Sequence, residues 1–253
     1  MNKEIYESNM RVFEKSFPGI CEIINQSRDK IENNIEVFFE KAADESDIIK
    51  IKKGDRELYI NGKREPADKV RIQFEKWGKV DKHAVIFATG LADITFLKQL
   101  VLMVEPSVQI VIYEPSLTIF FEIMENINLA FLFENRIPAL IIDGMNGEEK
   151  RGIIDKLLGL SNIEYIKHYE NINYCELFKT QILDFLKKID KRISDVLVGK
   201  NTQIRYSAVE MDNLFHNVKY LCNGSITTQL CDIIPTDIPA IIVSAGPSLN
   251  KNI

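Results

Sequence analysis

Three short apolar runs alternate with two amphipathic stretches between His83 and Asp143, and this alternation constrains the fold more than any other feature. The first run, His83-Ala84-Val85-Ile86-Phe87-Ala88, is apolar after its first residue and ends at Thr89-Gly90. A strand covered by helices on both faces has no polar side to present. A central parallel strand therefore reads as an unbroken apolar run. A helical pattern follows over residues 93–104. The second run, residues 108–113, ends at Glu114-Pro115, and a further helical pattern covers residues 117–133. The third run, residues 139–142, ends at Asp143-Gly144. Strand, helix, strand, helix, strand at this spacing is a βαβαβ unit. The expected class is α/β, a Rossmann-like parallel sheet with an N-terminal helical and β-hairpin extension.

The flanks are less regular. Residues 3–45 read as helical. Phe13, Phe17, Ile20, Ile23 and Ile24 lie near helical spacing, and a weaker second stretch surrounds Ile31, Ile35, Phe38 and Phe39. The period then changes to two. Ile49, Ile51, Leu58 and Ile60 alternate with polar residues around Gly54-Asp55 and Asn61-Gly62, the pattern of a β-hairpin or meander. Pro66 opens a helix over 66–80 with Val70, Phe74 and Trp77 on one face. Beyond the βαβαβ unit the pattern gives a helix over 148–160 and a strand over 162–166. A long amphipathic helix over 174–198, a helix over 201–222 and a buried-type strand over 239–243 follow. Three regions are expected: 1–80, helices and hairpin; 81–235, the Rossmann-like domain with its C-terminal helices; and 236–253, a strand and loop that open a further domain.

Charge narrows the partners. With 32 basic and 37 acidic residues the net charge is -5, which argues against a general nucleic-acid binder. No apolar run nears the roughly 20 residues of a membrane helix, and the first ten residues lack a signal-peptide core. Cys21, Cys175, Cys222 and Cys231 have no CxxC spacing and read as reduced thiols of a cytoplasmic protein. No zinc site is expected from three histidines, none of them near a cysteine pair.

Two loops are candidates for ligand binding. In a Rossmann-type sheet the first strand-to-helix turn needs glycine for close backbone approach, and the next helix N-terminus favours an anion. Gly90 sits at that turn. Glu114 lies 24 residues further on at the end of the next strand, near the spacing of about 20 at which an acidic residue reaches a ribose. The other glycines of that fingerprint are absent, and Asp93 also suits a plain helix N-cap, so a structural turn and a nucleotide loop both fit. The second candidate is Ser244-Ala245-Gly246-Pro247-Ser248-Leu249. Gly246 allows close approach, Pro247 and Ser248 suit a first helical turn, and exposed N–H groups there would hold a phosphate. His168 reads as a residue of a polar loop, and His83 and His216 read as structural. Arg205, Tyr206 and Asn213 belong to a solvated helix face. No Ser/His/Asp set, metal cluster or Walker loop can be assembled, so no catalytic residue is assigned.

The segment Pro239-Ala240-Ile241-Ile242-Val243-Ser244-Ala245-Gly246-Pro247-Ser248-Leu249-Asn250 resembles the opening of the motility accessory factor (Maf) domain, also described as 6-hydroxymethylpterin diphosphokinase MptE-like. That signature is a strand followed by G-A-G-P-S-L-D; Ser244 and Asn250 replace its first glycine and its aspartate. Asn61-Gly62-Lys63, Thr89-Gly90-Leu91 and Tyr113-Glu114-Pro115 are similar to the N-terminal domain of the same proteins. Where the family often carries F-G-x-G-L-G-Y-H, this chain has Phe87-Ala88-Thr89-Gly90-Leu91-Ala92-Asp93. The resemblance implies flagellin O-glycosylation: transfer of a nonulosonic acid such as pseudaminic acid from its CMP-activated donor to serine or threonine. Flagellin would be the acceptor, and Gly246, Pro247 and Ser248 would belong to the donor-nucleotide loop. The family's catalytic residues would follow Ile253, so this chain is expected to be inactive alone and to support the transferase domain or position the acceptor. The alternatives are a pterin diphosphokinase-like enzyme and a non-catalytic nucleotide- or S-adenosylmethionine-binding module.

Overall fold

A computed structural model describes residues 2–32, 34–42, 45, 47–61, 66–134 and 136–223. The chain divides into two units, Met1–Lys200 and Asn201–Ile253. The first unit opens with α1 (Lys3–Ser16) and α2 (Ile20–Ser27). An antiparallel sheet of β1 (Ile35–Lys41), β2 (Asp47–Lys53) and β3 (Arg56–Tyr59) follows in that spatial order. Then come α3 (Pro66–Trp77), β4 (Val85–Thr89), α4 (Ile94–Met103), β5 (Gln109–Glu114) and α5 (Leu117–Asn126). β6 (Ala139–Ile142), α6 (Lys150–Leu157), β7 (Ile166–Glu170) and α7 (Ile172–Leu177) lead to α8 (Lys179–Asn223), whose residues beyond 200 belong to the second unit.

The class is α/β. β4 to β7 form a parallel sheet in the order β6-β5-β4-β7, with Val85 beside Gln109 on one side and Ile166 on the other. All five residues of β4 are buried, which is why its sequence shows no alternation. The chain adds β5 and β6 on one side of β4, then crosses to place β7 on the other. This reversal creates a switch point between the carboxyl ends of β4 and β7, the place where open α/β sheets bind ligands. α8 packs on one face of the sheet, where Phe185 stacks on Tyr113 at 4.2 Å and meets Phe87 edge-on. Phe13 of α1 and Ile49 and Ile51 of the antiparallel sheet join the same apolar cluster as Phe87, Phe96 and Phe120.

Several boundaries differ from the sequence reading. The second helical stretch, around Ile35 and Phe38, is strand β1. Ile35, Val37 and Phe39 turn inward while Glu36, Phe38 and Glu40 are exposed, and Val37 pairs with Ile51. Ile31, Ile35 and Phe39 are four apart, a spacing that fits both periods, so periodicity alone misleads there. Gly54-Asp55 does turn the chain, with Gly54 at φ +59° and Lys53 opposite Arg56. α5 stops at Asn126 rather than continuing to 133. Asn9 of α1 donates to the carbonyls of Met124 and Ile127 and accepts from the Leu129 N–H, so a residue far away in sequence ends this helix. The strand expected over 162–166 begins at Ile166. Asn162 donates to the Leu157 carbonyl and accepts from the Gly159 N–H, making a turn of that segment. His168 therefore lies on β7, not in a loop. The helix expected from 174 breaks at Phe178, and the helices expected over 174–198 and 201–222 run together as α8. The expected strand 239–243 and the loop with Gly246, Pro247 and Ser248 lie outside the described residues.

Candidate functional site

Next to the switch point, the paired ends of β4 and β5 bring Gly90 and Glu114 together. Gly90 has φ +93°, a conformation L-residues rarely adopt, and its N–H donates to the Tyr113 carbonyl at 2.8 Å. The close approach its missing side chain permits is to a residue of the chain itself. A Cβ at Gly90 would lie 2.6 Å from the Tyr174 ring. Glu114 is 1% exposed. Its carboxylate accepts from the N–H of Leu91 at 2.8 Å, the N–H of Ser116 at 3.0 Å and the Tyr174 hydroxyl at 2.6 Å. Burial pushes its pKa up to about 8, against the pull of those three donors, and burial also holds the Tyr174 phenol far above its ordinary range. Tyr174 thus occupies the crevice, and the carboxylate that would face a ribose is engaged internally.

Asp93 is the N-cap of α4, accepting from the Phe96 N–H at 3.2 Å. Its other oxygen accepts from the Tyr169 hydroxyl and, at 2.8 Å, from the Asn171 side chain. The N-terminus of α4 is accordingly capped by a carboxylate of the chain itself. Burial raises the Asp93 pKa, opposed by these hydrogen bonds.

The antiparallel sheet grips α7, the six-residue helix that carries Tyr174, at both ends. At the N-terminus, Asn171 caps the N–H groups of Asn173 and Tyr174 and donates to the Ile60 carbonyl, while Asn173 donates to the Tyr59 carbonyl. At the C-terminus, the Lys53 ammonium donates to the Leu177 carbonyl at 3.0 Å and lies 4.0 Å from the Phe178 ring. Arg56 donates to the Glu176 carbonyl. Burial lowers the Lys53 pKa, and the helix's C-terminal carbonyls favour the cation there. Sequence reasoning passed over Tyr174, Asn171 and Lys53. An asparagine directly before an apolar helical stretch is an N-cap signal that locates α7, but nothing local marks what Tyr174 faces.

A second polar group lies at the carboxyl ends of β5 and β6. The Lys150 side chain is 9% exposed and pairs with Asp143 at 2.7 Å. It also donates to the Tyr113 oxygen at 3.3 Å, while the Tyr113 hydroxyl donates to Asp143 at 2.6 Å. Asp184 stands 3.7 Å from the same ammonium. Asp143, Lys150 and Asp184 line one wall of an open cavity of about 760 Å³. Asp143 and Asp184 offset the charge of Lys150, and Lys30 on the same cavity donates to the Gly144 carbonyl. Asn146, in the same loop, donates to the Leu140 carbonyl and accepts from the Ile142 N–H. Its amide thereby covers part of the open edge of β6, where an unpaired strand would invite association.

The remaining candidates stand apart. His168 stacks on Phe87 at 5.6 Å with its Nδ1 buried and unpartnered, and burial lowers its pKa. The His83 N–H closes a turn onto Asp81, and His216, Arg205, Tyr206 and Asn213 are exposed on α8. Cys21, Cys175 and Cys222 are free thiols. Among the described residues no group of three His, Cys, Asp or Glu side chains is placed to hold a metal ion, and no helix is long and apolar enough to cross a membrane. No family model, curated protein or solved structure matches this chain.

Proposed function

We propose that Met1–Lys200 is a non-catalytic, Rossmann-like support domain, the N-terminal part of a Maf-type flagellin glycosyltransferase. The nucleotide-sugar chemistry belongs to the Gly246-Pro247-Ser248 loop, where a CMP-activated nonulosonic acid would dock for transfer to serine or threonine. The observation that carries this reading is the filled switch point: Tyr174 sits against Gly90 and hydrogen-bonds Glu114. A domain that bound a nucleotide there would need both the space and the carboxylate. The resemblance of residues 239–250 supports the assignment of the donor loop, and the clamp on α7 supports a structural role for the antiparallel sheet.

Calorimetric titration of the whole chain with CMP tests the division of labour. Binding is expected to be lost in Gly246→Leu, whose side chain fills the loop, and unchanged within two-fold in Tyr174→Phe. Binding that survives Gly246→Leu, or that falls in Tyr174→Phe, would move the nucleotide to the Gly90 crevice and favour a nucleoside-binding module instead.

A further inference from the structure

The apolar pattern of α8 changes line partway along the helix. Ile182, Phe185, Ile189 and Val196 are buried in the core of the first unit. At helical spacing that line continues through Lys200, Gln203 and Ser207, all polar. A different line then becomes apolar. Leu197, Ile204, Met211 and Val218 recur every seven residues, with Asn201, Ala208, Phe215 and Cys222 between them at alternating steps of four and three. A seven-residue repeat has a period of 3.5, the period of a left-handed coiled coil rather than of a helix lying on its own core. Every residue from 197 to 220 is exposed, including Ile204 at 65%, Met211 at 51% and Phe215 at 69%. Three large apolar side chains on one stripe at such exposure mark a contact surface.

We propose that this stripe is a self-association surface, on which two copies of the chain pair through residues 197–222 as an antiparallel two-stranded coiled coil. Length and area are adequate. A 26-residue overlap spans about 39 Å. Five large seam side chains per copy would remove roughly 1,000 Å² from water in total, the lower bound for a specific interface. Charge selects the orientation. When Ile204 lies against the partner's Phe215 and Ala208 against the partner's Met211, Arg205 meets the partner's Asp212, and symmetry repeats the pair. A parallel in-register pairing would instead set Lys200 beside the partner's Arg205, a like-charge contact. This inference is independent of the proposed transferase role, since it uses neither the Gly246 loop nor the switch point.

Sedimentation equilibrium of the whole chain is the test. The wild type is expected to run at twice 29.1 kDa. Arg205→Asp and Asp212→Arg each place like charges together twice and are expected to weaken the dimer about ten-fold. The double variant restores opposite charges and is expected to recover wild-type affinity. Phe215→Lys is expected to give a monomer. All three positions are exposed, so Trp77 fluorescence should remain native and separate lost association from lost folding. A wild type that stays monomeric at about 100 μM, or a dimer indifferent to Phe215→Lys and to charge reversal, would overturn the proposal. Ready oxidation of the dimer to a Cys222–Cys222 disulfide would overturn the antiparallel arrangement, which holds those thiols at opposite ends.

Discussion

Replacing Tyr174 with alanine is expected to destabilise the first unit by about 5 kcal/mol, among the largest effects of any single substitution in it. Two losses combine. Removing a fully buried aromatic ring costs about 3–5 kcal/mol, because neighbours collapse only in part onto the space it leaves. Here one neighbour is Gly90, whose backbone sits against the ring and has no side chain to move inward. The second loss falls on Glu114, which keeps its two backbone donors but loses the phenol. Tyr174→Phe separates the two effects: it retains the ring and removes only the hydroxyl, for about 2 kcal/mol. Urea unfolding followed through Trp77, the only tryptophan, reports on this unit because Trp77 packs edge-on against Phe74 and Phe96. A Tyr174→Ala cost below about 2 kcal/mol would mean that the ring does not occupy the crevice in solution.

Glu114 should impose a pH dependence of unusual sign for a carboxylate. Its folded pKa is raised to about 8 from the ordinary 4.5 by burial. The folded state therefore holds the proton to higher pH than the unfolded state does. The stability this contributes is fully present below about pH 4.5, falls as pH rises, and is gone above about pH 8. At 1.36 kcal/mol per unit, the ceiling is about 5 kcal/mol over that window. The protonated carboxyl can donate to the Tyr174 oxygen while both backbone N–H groups keep an acceptor. Glu114→Gln cannot ionise, and its amide must turn an NH₂ toward one of those backbone donors, so the variant should be less stable than wild type at pH 5. The difference should narrow steadily toward pH 8. Measuring unfolding free energy of both proteins across pH 5–9 isolates Glu114, because every other titrating group is shared. A difference that stays constant, or widens with pH, would contradict a raised pKa.

The sheet was legible in the sequence because β4, β5 and β6 are buried on both faces and their runs have no competing reading. Residues 139–142 coincide with β6. The proximity of Gly90 and Glu114 was legible for the same reason, since consecutive parallel strands lie side by side. The closure of the crevice was not. It depends on Tyr174 arriving from a short helix after β7, held across long sequence separations by Lys53, Arg56 and the bond from Asn171 to the Ile60 carbonyl. Local periodicity contains nothing of such contacts. The end of α5 shows the same limit, set by Asn9 more than a hundred residues upstream. β1 failed for another reason: Ile35 and Phe39 satisfy helical and strand periods alike, and only pairing with β2 decides between them.

Amide hydrogen exchange of the whole chain with and without CMP addresses most directly where a nucleotide binds. If the switch point is filled by Tyr174 and the donor loop lies downstream, CMP will slow exchange in peptides covering residues 241–250. Peptides covering 89–93, 114–116 and 172–177 will exchange as they do without it. Protection confined to residues 89–93 and 114–116, with faster exchange across 172–177 as Tyr174 leaves, would contradict this assignment and make the Rossmann-like unit itself the nucleotide-binding domain.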